Sequence, residues 1–210
     1  MLAKGRTMSG SLCLNGFVLA GGRSTRLGVD KARVEIEGVS LLLRTVNLLK
    51  PYVDSVAVLG PAGRYEFIHE PTIQDRWPGK GPLAAILTGL ERMTGEWGIF
   101  IACDLPLVDG RFIELLIRRV AASKPDAVVP RTTGGWQPLC AAYRRSSARQ
   151  IREAIEEGET AIIRILPRLQ VDVITPEDLA IAGMDEAVFE NLNSPEDRER
   201  VLGLLAARVQ

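Results

Sequence analysis

Short apolar runs alternate with segments of helical spacing along the first two thirds of the chain. Apolar runs of strand length predict buried β-strands at residues 16–20, 55–59, 98–103 and 127–130. Apolar residues at helical spacing predict helices at residues 40–49, 82–93 and 110–122. Ser40 suits the N-cap of the first helix, and Pro82 suits the first turn of the second. The alternation predicts an α/β fold in which helices cover both faces of a mostly parallel sheet.

The last third of the chain has less regular spacing. It predicts strands at residues 137–143 and 170–174, and helices at residues 147–156, 160–166 and 195–208. Residues 1–15 lack the apolar core of a signal peptide and are expected to form a flexible lead-in. Because the sequence carries no repeat and no linker, residues 16–210 are expected to form a single domain.

Composition and charge narrow the class of protein. Of the 210 residues, 46% are hydrophobic and 25% are charged, which is an ordinary globular balance. The 26 basic residues equal the 26 acidic ones, so the overall basic charge of a nucleic-acid-binding protein is missing. No apolar run reaches the roughly 20 residues that span a bilayer, so no membrane partner is expected. Three widely spaced cysteines give no disulfide framework and fit a cytoplasmic protein with Cys103 and Cys140 in its core.

Residues 19–31, LAGGRSTRLGVDK, follow the first predicted strand directly. The pair Gly21 and Gly22 lets backbone N–H groups approach a ligand, and consecutive N–H groups form a concavity that binds anions. The next nine residues add two hydroxyl and three basic side chains: Arg23, Ser24, Thr25, Arg26 and Lys31. A plain glycine-rich turn with solvated cations is the alternative, but this density of donors at the carboxyl end of a strand favours phosphate binding. The segment matches neither the P-loop nor the dinucleotide-binding glycine pattern.

Asp104 follows the predicted strand at residues 98–103, at the same edge of the sheet as residues 19–31. A hard cation such as Mg²⁺ takes few protein carboxylates and completes its coordination with phosphates and waters, so one aspartate suffices. A turn-forming aspartate is the alternative. The neighbouring phosphate-binding segment favours a metal site at Asp104.

Two further segments carry candidate ligands. In residues 74–83, QDRWPGKGPL, Asp75 is a candidate to bind a ribose or base, and Lys80 to bind phosphate, beside a helix N-terminus that favours anions. In residues 189–197, FENLNSPED, Asn191 and Asn193 are spaced to project to one side of an extended segment. A connecting loop and a helix-capping turn are the plain alternatives. The single histidine, His69, lies outside every motif, which fits nucleotidyl transfer because that chemistry depends on positioning and charge.

Taken together, these segments resemble the molybdenum cofactor guanylyltransferases, the MobA family. The similar motifs are LAGGRSTRLGVDK (19–31), DRWPGKGPLAAI (75–86), CDLPLV (103–108), QPLCAAY (137–143) and FENLNSPED (189–197). The first motif is shared with other sugar-nucleotide and cofactor nucleotidyltransferases. The last two are more specific to the molybdenum branch.

The resemblance implies a three-layer α/β/α Rossmann-like nucleotidyltransferase fold with a mostly parallel sheet. It implies transfer of GMP from GTP to molybdopterin-bound molybdenum cofactor, with release of pyrophosphate. The implied GTP-binding residues are Leu19, Ala20, Gly21, Gly22, Lys31, Asp75 and Asp104. Arg26, Lys31 and Asp104 would be catalytic, Asp104 would hold Mg²⁺, and Asn191 and Asn193 would lie at the active centre near the pterin. The implied protein partners deliver the cofactor or mature molybdoenzymes.

One position departs from the family pattern. Some members have a GTP-contacting asparagine at the end of the strand predicted for residues 55–59, where this chain has Leu59 and Gly60.

Two alternative functions stay open. A cytidylyltransferase acting on the same cofactor tends to have alanine in place of Gly21, and a regulatory protein would bind nucleotide without turnover. A sugar-1-phosphate nucleotidyltransferase is disfavoured because the chain is short.

Overall fold

The computed structural model describes residues 12–21, 30–77, 80–122 and 124–208. Its strands are β1 (Leu14–Leu19), β2 (Glu35–Ile36), β3 (Val39–Ser40), β4 (Ser55–Leu59), β5 (Thr72–Ile73), β6 (Trp97–Ala102), β7 (Ala127–Thr132), β8 (Gly135–Trp136), β9 (Cys140–Arg144) and β10 (Val171–Ile174). Its α-helices are α1 (Leu41–Leu49), α2 (Gly81–Arg92), α3 (Gly110–Ala122), α4 (Ala148–Glu156), α5 (Pro176–Ile181) and α6 (Pro195–Arg208).

A central sheet runs through the described part of the chain in the order β10-β7-β9-β6-β1-β4-β5, with β8 paired to β7. Six of its strands point the same way, because β9 is antiparallel to both of its neighbours and β8 is antiparallel to β7. Strands β2 and β3 form a separate antiparallel hairpin. Helices flank the sheet, so the predicted α/β/α fold with a mostly parallel sheet is confirmed.

Aromatic rings of three central strands pack against one another on one face of the sheet. Phe17 of β1 stacks on Phe100 of β6 at 4.8 Å between ring centroids, and Phe100 meets Tyr143 of β9 edge to face at 5.7 Å. Gly89 lets helix α2 approach the same ring, since a Cβ added at Gly89 would lie 2.6 Å from Phe100. This close packing fixes the position of α2 against the sheet.

Several predicted elements need correction, among them strand β7, which continues two residues beyond residue 130. Strand β1 begins at Leu14, so Leu14 and Asn15 belong to a buried strand and not to the lead-in. The strand predicted at residues 137–143 begins at Cys140. The helix predicted at residues 160–166 is wrong: the chain forms two 3₁₀ turns, Ile162–Arg164 and Leu166–Arg168. Pro167 has no N–H, so it cannot donate the α-helical hydrogen bond to the carbonyl four residues before it, and no α-helix continues through this segment.

Helix α5 was not predicted, because six residues are too few to show apolar periodicity. Its start is nevertheless encoded locally: Thr175 and Asp178 form a reciprocal capping box.

Among the described residues, no helix has the length and apolar character that crossing a bilayer requires.

Asn15 links three segments at the amino edge of the sheet. Its side-chain nitrogen donates to Ser55 Oγ at 2.7 Å, and its oxygen accepts from the Gly95 N–H at 2.8 Å. Asn15 is buried, so loss of these bonds leaves polar groups without water.

We therefore expect Asn15→Ala to lower the free energy of unfolding by about 1–3 kcal/mol, measured by urea denaturation. The control is Asn47→Ala on the exposed side of α1, which should change it by less than about 0.5 kcal/mol. Equal effects of the two substitutions would contradict this role for Asn15.

Candidate active site

The carboxyl ends of β1, β4, β5 and β6 meet at one edge of the sheet, because these four neighbouring strands are parallel. Ala20, Gly60 and Asp104 follow the ends of three of them, and Asp75 lies two residues beyond β5. The antiparallel strand β9 starts at this edge, so the segment before Cys140 lies there too. The fold thus brings together motifs that are far apart in sequence.

A cluster of Lys31, Asp104 and Asn193 lies at this edge. Lys31 Nζ donates to Asp104 Oδ2 at 2.9 Å and to Asn193 Oδ1. The side chains of Lys31 and Asp104 are 25% and 22% exposed, so both are accessible to a ligand while retaining their contact. The structure therefore joins three residues that the sequence analysis had placed in separate motifs.

Local contacts hold each member of the cluster in place. Asp30 accepts from the Ala32 N–H at 3.2 Å and caps the 3₁₀ turn Lys31–Arg33. The backbone N–H of Leu192 donates to the Asp104 carbonyl at 2.9 Å. Leu192 is fully buried in a small core that is separate from the main one and is shared with Ile36, Leu41, Leu107 and Val201. This anchor places Asn191 and Asn193 on either side of a fixed residue.

Helix α6 also shapes the asparagine segment. Asp197 Oδ2 accepts from the backbone N–H groups of Asn193 and Ser194, at 2.9 and 3.0 Å. Ser194 Oγ in turn accepts from the Asp197 N–H at 3.2 Å, as predicted for an N-cap residue. These backbone hydrogen bonds lower the pKa of Asp197, so this carboxylate is ionised at neutral pH. The capping turn and the site therefore coexist in one segment.

The donor set suits a hard divalent cation bound together with phosphate. Among the described residues, no three His, Cys, Asp or Glu side chains converge as a metal site of their own. The Asp104 carboxylate supplies an oxygen ligand, and an Mg²⁺ ion would take its remaining ligands from phosphates and waters. Lys31 beside it supplies the positive charge that a phosphate requires.

The described part of the nucleotide motif is held by backbone contacts. Leu19 and Ala20 are buried; the Leu19 carbonyl accepts from the Cys103 N–H at 3.1 Å, and the Ala20 N–H donates to the Leu59 carbonyl at 2.9 Å. Gly21 is exposed, and a Cβ added there would meet no atom of the described residues within 4 Å. Gly22 and Arg26, with the rest of residues 22–29, lie outside the described residues, as do residues 78–79 of the second motif.

Asp75 is fixed separately from the cluster. Its Oδ1 accepts from the Trp77 N–H at 2.8 Å and lies 3.3 Å from the hydroxyl of Thr88, which is buried in α2. These hydrogen bonds join Asp75 to Trp77 and to helix α2, and not to the cluster of Lys31, Asp104 and Asn193. Asp75 therefore lies at the same edge of the sheet, and its contact with a nucleotide stays a prediction.

A cavity of about 360 Å³ opens beside Asp104. Asn191 and Pro82, the second residue of α2, also line it. The predicted QPLCAAY motif contributes Gln137 through Cys140. Trp136 and residues 160–163 also line the cavity, and the sequence does not indicate them because neither segment carries a recognisable motif.

Cys103 adjoins Asp104 but is not a nucleophile at neutral pH. Burial, reinforced by the nearby carboxylates of Asp104 and Asp30, raises the pKa of its thiol to about 12. The thiol is therefore protonated at neutral pH. Cys140 is also buried, so the prediction that both cysteines lie in the core is confirmed.

Comparisons with known proteins identify the family of this chain. The model of the MobA-like NTP transferase domain matches residues 16–173. A probable molybdenum cofactor guanylyltransferase of Natronomonas pharaonis is 36% identical over 88% of this chain and 95% of its own length. One of Nostoc is 31% identical over 90% and 91%.

A solved structure extends the agreement to three dimensions. It is that of the molybdopterin-guanine dinucleotide biosynthesis protein A of Archaeoglobus fulgidus. It is 25% identical, superposes with a TM-score of 0.80, and the match covers 92% of this chain and 99% of that one. The chain therefore belongs to the MobA-like NTP transferase family.

Proposed function

We propose that this protein transfers GMP from GTP to molybdopterin-bound molybdenum cofactor and releases pyrophosphate. The observation that carries the proposal is the Lys31–Asp104–Asn193 cluster, which lies at the strand ends beside the cavity. Its two charges are complementary to the two parts of a metal–triphosphate complex. The relatives named as guanylyltransferases support the choice of GTP and of the molybdenum cofactor as substrates.

In the proposed reaction, a phosphate oxygen of the acceptor attacks the α-phosphorus of GTP. A new P–O bond forms, the bond from the α-phosphorus to the bridging oxygen breaks, and pyrophosphate leaves with that electron pair. The acceptor phosphate is already ionised, so no protein base is required. Lys31, together with Arg26, would stabilise the charge on the leaving pyrophosphate.

A divalent metal is general in this family, and Mg²⁺ on Asp104 is our specific proposal. When bound, it would supply charge neutralisation at the α- and β-phosphates. Asn193 keeps Lys31 oriented toward Asp104, so these side chains are in place before the nucleotide binds. Such preorganisation reduces the rearrangement required during reaction.

The cavity beside Asp104 is the proposed acceptor site. Its volume of about 360 Å³ suits a small molecule, and Trp136 offers an apolar surface for a planar ring. Helix α2 begins there without a capping side chain, so its N-terminal dipole favours an anionic group such as the acceptor phosphate. Asn191 and Asp104 line the side nearest the proposed site of transfer.

The proposed product suggests the protein partners, and the cysteines suggest the compartment. We propose transient contacts with proteins that deliver the cofactor or mature molybdoenzymes, because a bound cofactor has to pass between proteins. Three free cysteines are compatible with a reducing cytoplasm.

Asp104→Ala should lower kcat/KM for GTP by at least about 100-fold, because it removes the proposed metal ligand and the partner of Lys31. Pyrophosphate release in the presence of Mg²⁺ and molybdopterin measures this, and thermal unfolding checks that the variant folds. The control is Asp126→Ala, just before β7 at the opposite edge of the sheet. Near-normal turnover by Asp104→Ala would remove this residue from the mechanism.

Nucleotide preference separates the proposal from its alternatives. With molybdopterin and Mg²⁺, GTP should release pyrophosphate at least about tenfold faster than CTP, since Gly21 has no side chain to limit the room for a guanine base. A preference for CTP would indicate a cytidylyltransferase. Thermal stabilisation by GTP without pyrophosphate release would indicate a binding protein.

A further inference from the structure

Residues 60–71 form the loop between β4 and β5. This loop contacts the nucleotide motif, residues 19–31, near its beginning and near its end. They carry no motif of their own, and nothing in the proposed reaction uses them. Two adjacent residues, Arg64 and Tyr65, make the contacts. Tyr65 reaches Ala20 on one side, and Arg64 reaches Asp30 on the other.

Tyr65 occupies the space beside the end of β4. It is 2% exposed, and its hydroxyl donates to the Ala20 carbonyl at 2.5 Å. A Cβ added at Gly60 would lie 2.8 Å from the Tyr65 ring and 3.3 Å from that carbonyl. Gly60 is therefore needed because Tyr65 fills the place where a larger side chain would project. Burial raises the pKa of Tyr65 to about 12, so its hydroxyl remains a donor throughout the neutral range.

Arg64 ties the same loop to the start of the Lys31–Arg33 turn. Its Nε lies 2.8 Å from Asp30 Oδ2. Arg33 returns the contact: its guanidinium donates to the Arg64 carbonyl at 2.7 Å and lies 4.9 Å from the centre of the Phe67 ring. Lys31 lies between Asp30 and Arg33, so the loop holds the residues on both sides of it.

We propose that Arg64 and Tyr65 are positioning residues that set the placement of Ala20 relative to Lys31. Under the proposed function, on which this inference rests, Ala20 adjoins the base and ribose while Lys31 serves the phosphates. A nucleotide that bridges the two needs their separation fixed. A side chain at position 60 would position the nucleotide by direct contact. The loop instead positions it indirectly, because Tyr65 and Arg64 hold the residues on either side of it.

Tyr65→Phe tests the inference because it removes only the hydroxyl. We expect the Kd of GTP, measured by calorimetry with MgCl₂, and the KM of GTP to rise about three- to tenfold, since one buried hydrogen bond is lost. The kcat should stay within about twofold, because the Lys31–Asp104 contact is retained. If Tyr65 had only a structural role, Tyr65→Phe would lower the melting temperature. The Kd and KM of GTP, measured well below that temperature, would then be unchanged.

Matched variants complete the test. Tyr52→Phe also removes a phenol hydroxyl, beside Glu114, and should leave the Kd of GTP unchanged. Arg64 is 49% exposed in its side chain, so Arg64→Met should fold; it should raise Kd, and Arg64→Lys should retain part of the affinity.

The outcomes distinguish this inference from the proposed function. If the native protein binds and transfers GTP but Tyr65→Phe and Arg64→Met keep Kd within twofold, the positioning role is overturned alone. If the native protein neither binds GTP nor releases pyrophosphate, the proposed function is overturned and the inference with it. A raised Kd with an unchanged kcat in both variants supports the positioning role.

Discussion

The ammonium group of Lys31 is held by oxygen atoms from two distant parts of the chain, Asp104 after β6 and Asn193 before α6. Each partner is itself fixed, because the backbone of Asp104 receives a hydrogen bond from Leu192 and the backbone of Asn193 donates one to Asp197. The side chains are part-exposed, so the ion pair alone adds little to stability. Its value is geometric: it sets a positive and a negative charge side by side at an open edge of the sheet.

The rest of the fold serves to make that arrangement possible. Parallel strands β1 and β6 are neighbours, which brings the segments after them together although they are more than eighty residues apart. The buried side chain of Leu192 then holds the asparagine segment against the loop that carries Asp104. The rigid aromatic packing around Phe100 places α2, so that its first turn borders the cavity.

Strong local signals made much of this predictable from sequence. The long apolar runs gave the main strands, and the glycine pair, the strand-end aspartate and the two asparagines pointed to one edge. The contact of Asn193 with Lys31 could not be predicted, since it depends on how Val201 of α6 and Leu192 before that helix pack into the small core. The role of Tyr65 could not be predicted, because a single tyrosine in a loop belongs to no sequence motif. The structure indicates its role, since a Cβ added at Gly60 would clash with the Tyr65 ring. Residues 160–166 are too short a run for apolar periodicity to distinguish an α-helix from the two 3₁₀ turns that the structure has.

A crystal structure of the protein with a non-hydrolysable GTP analogue and Mg²⁺ would test the central claim most directly. We expect the metal on Asp104, the phosphates against Lys31, the base beside Ala20 and Gly21, and a cavity left free for the acceptor. Phosphates seated in the cavity between Trp136 and residues 160–163, with no metal at Asp104, would contradict it.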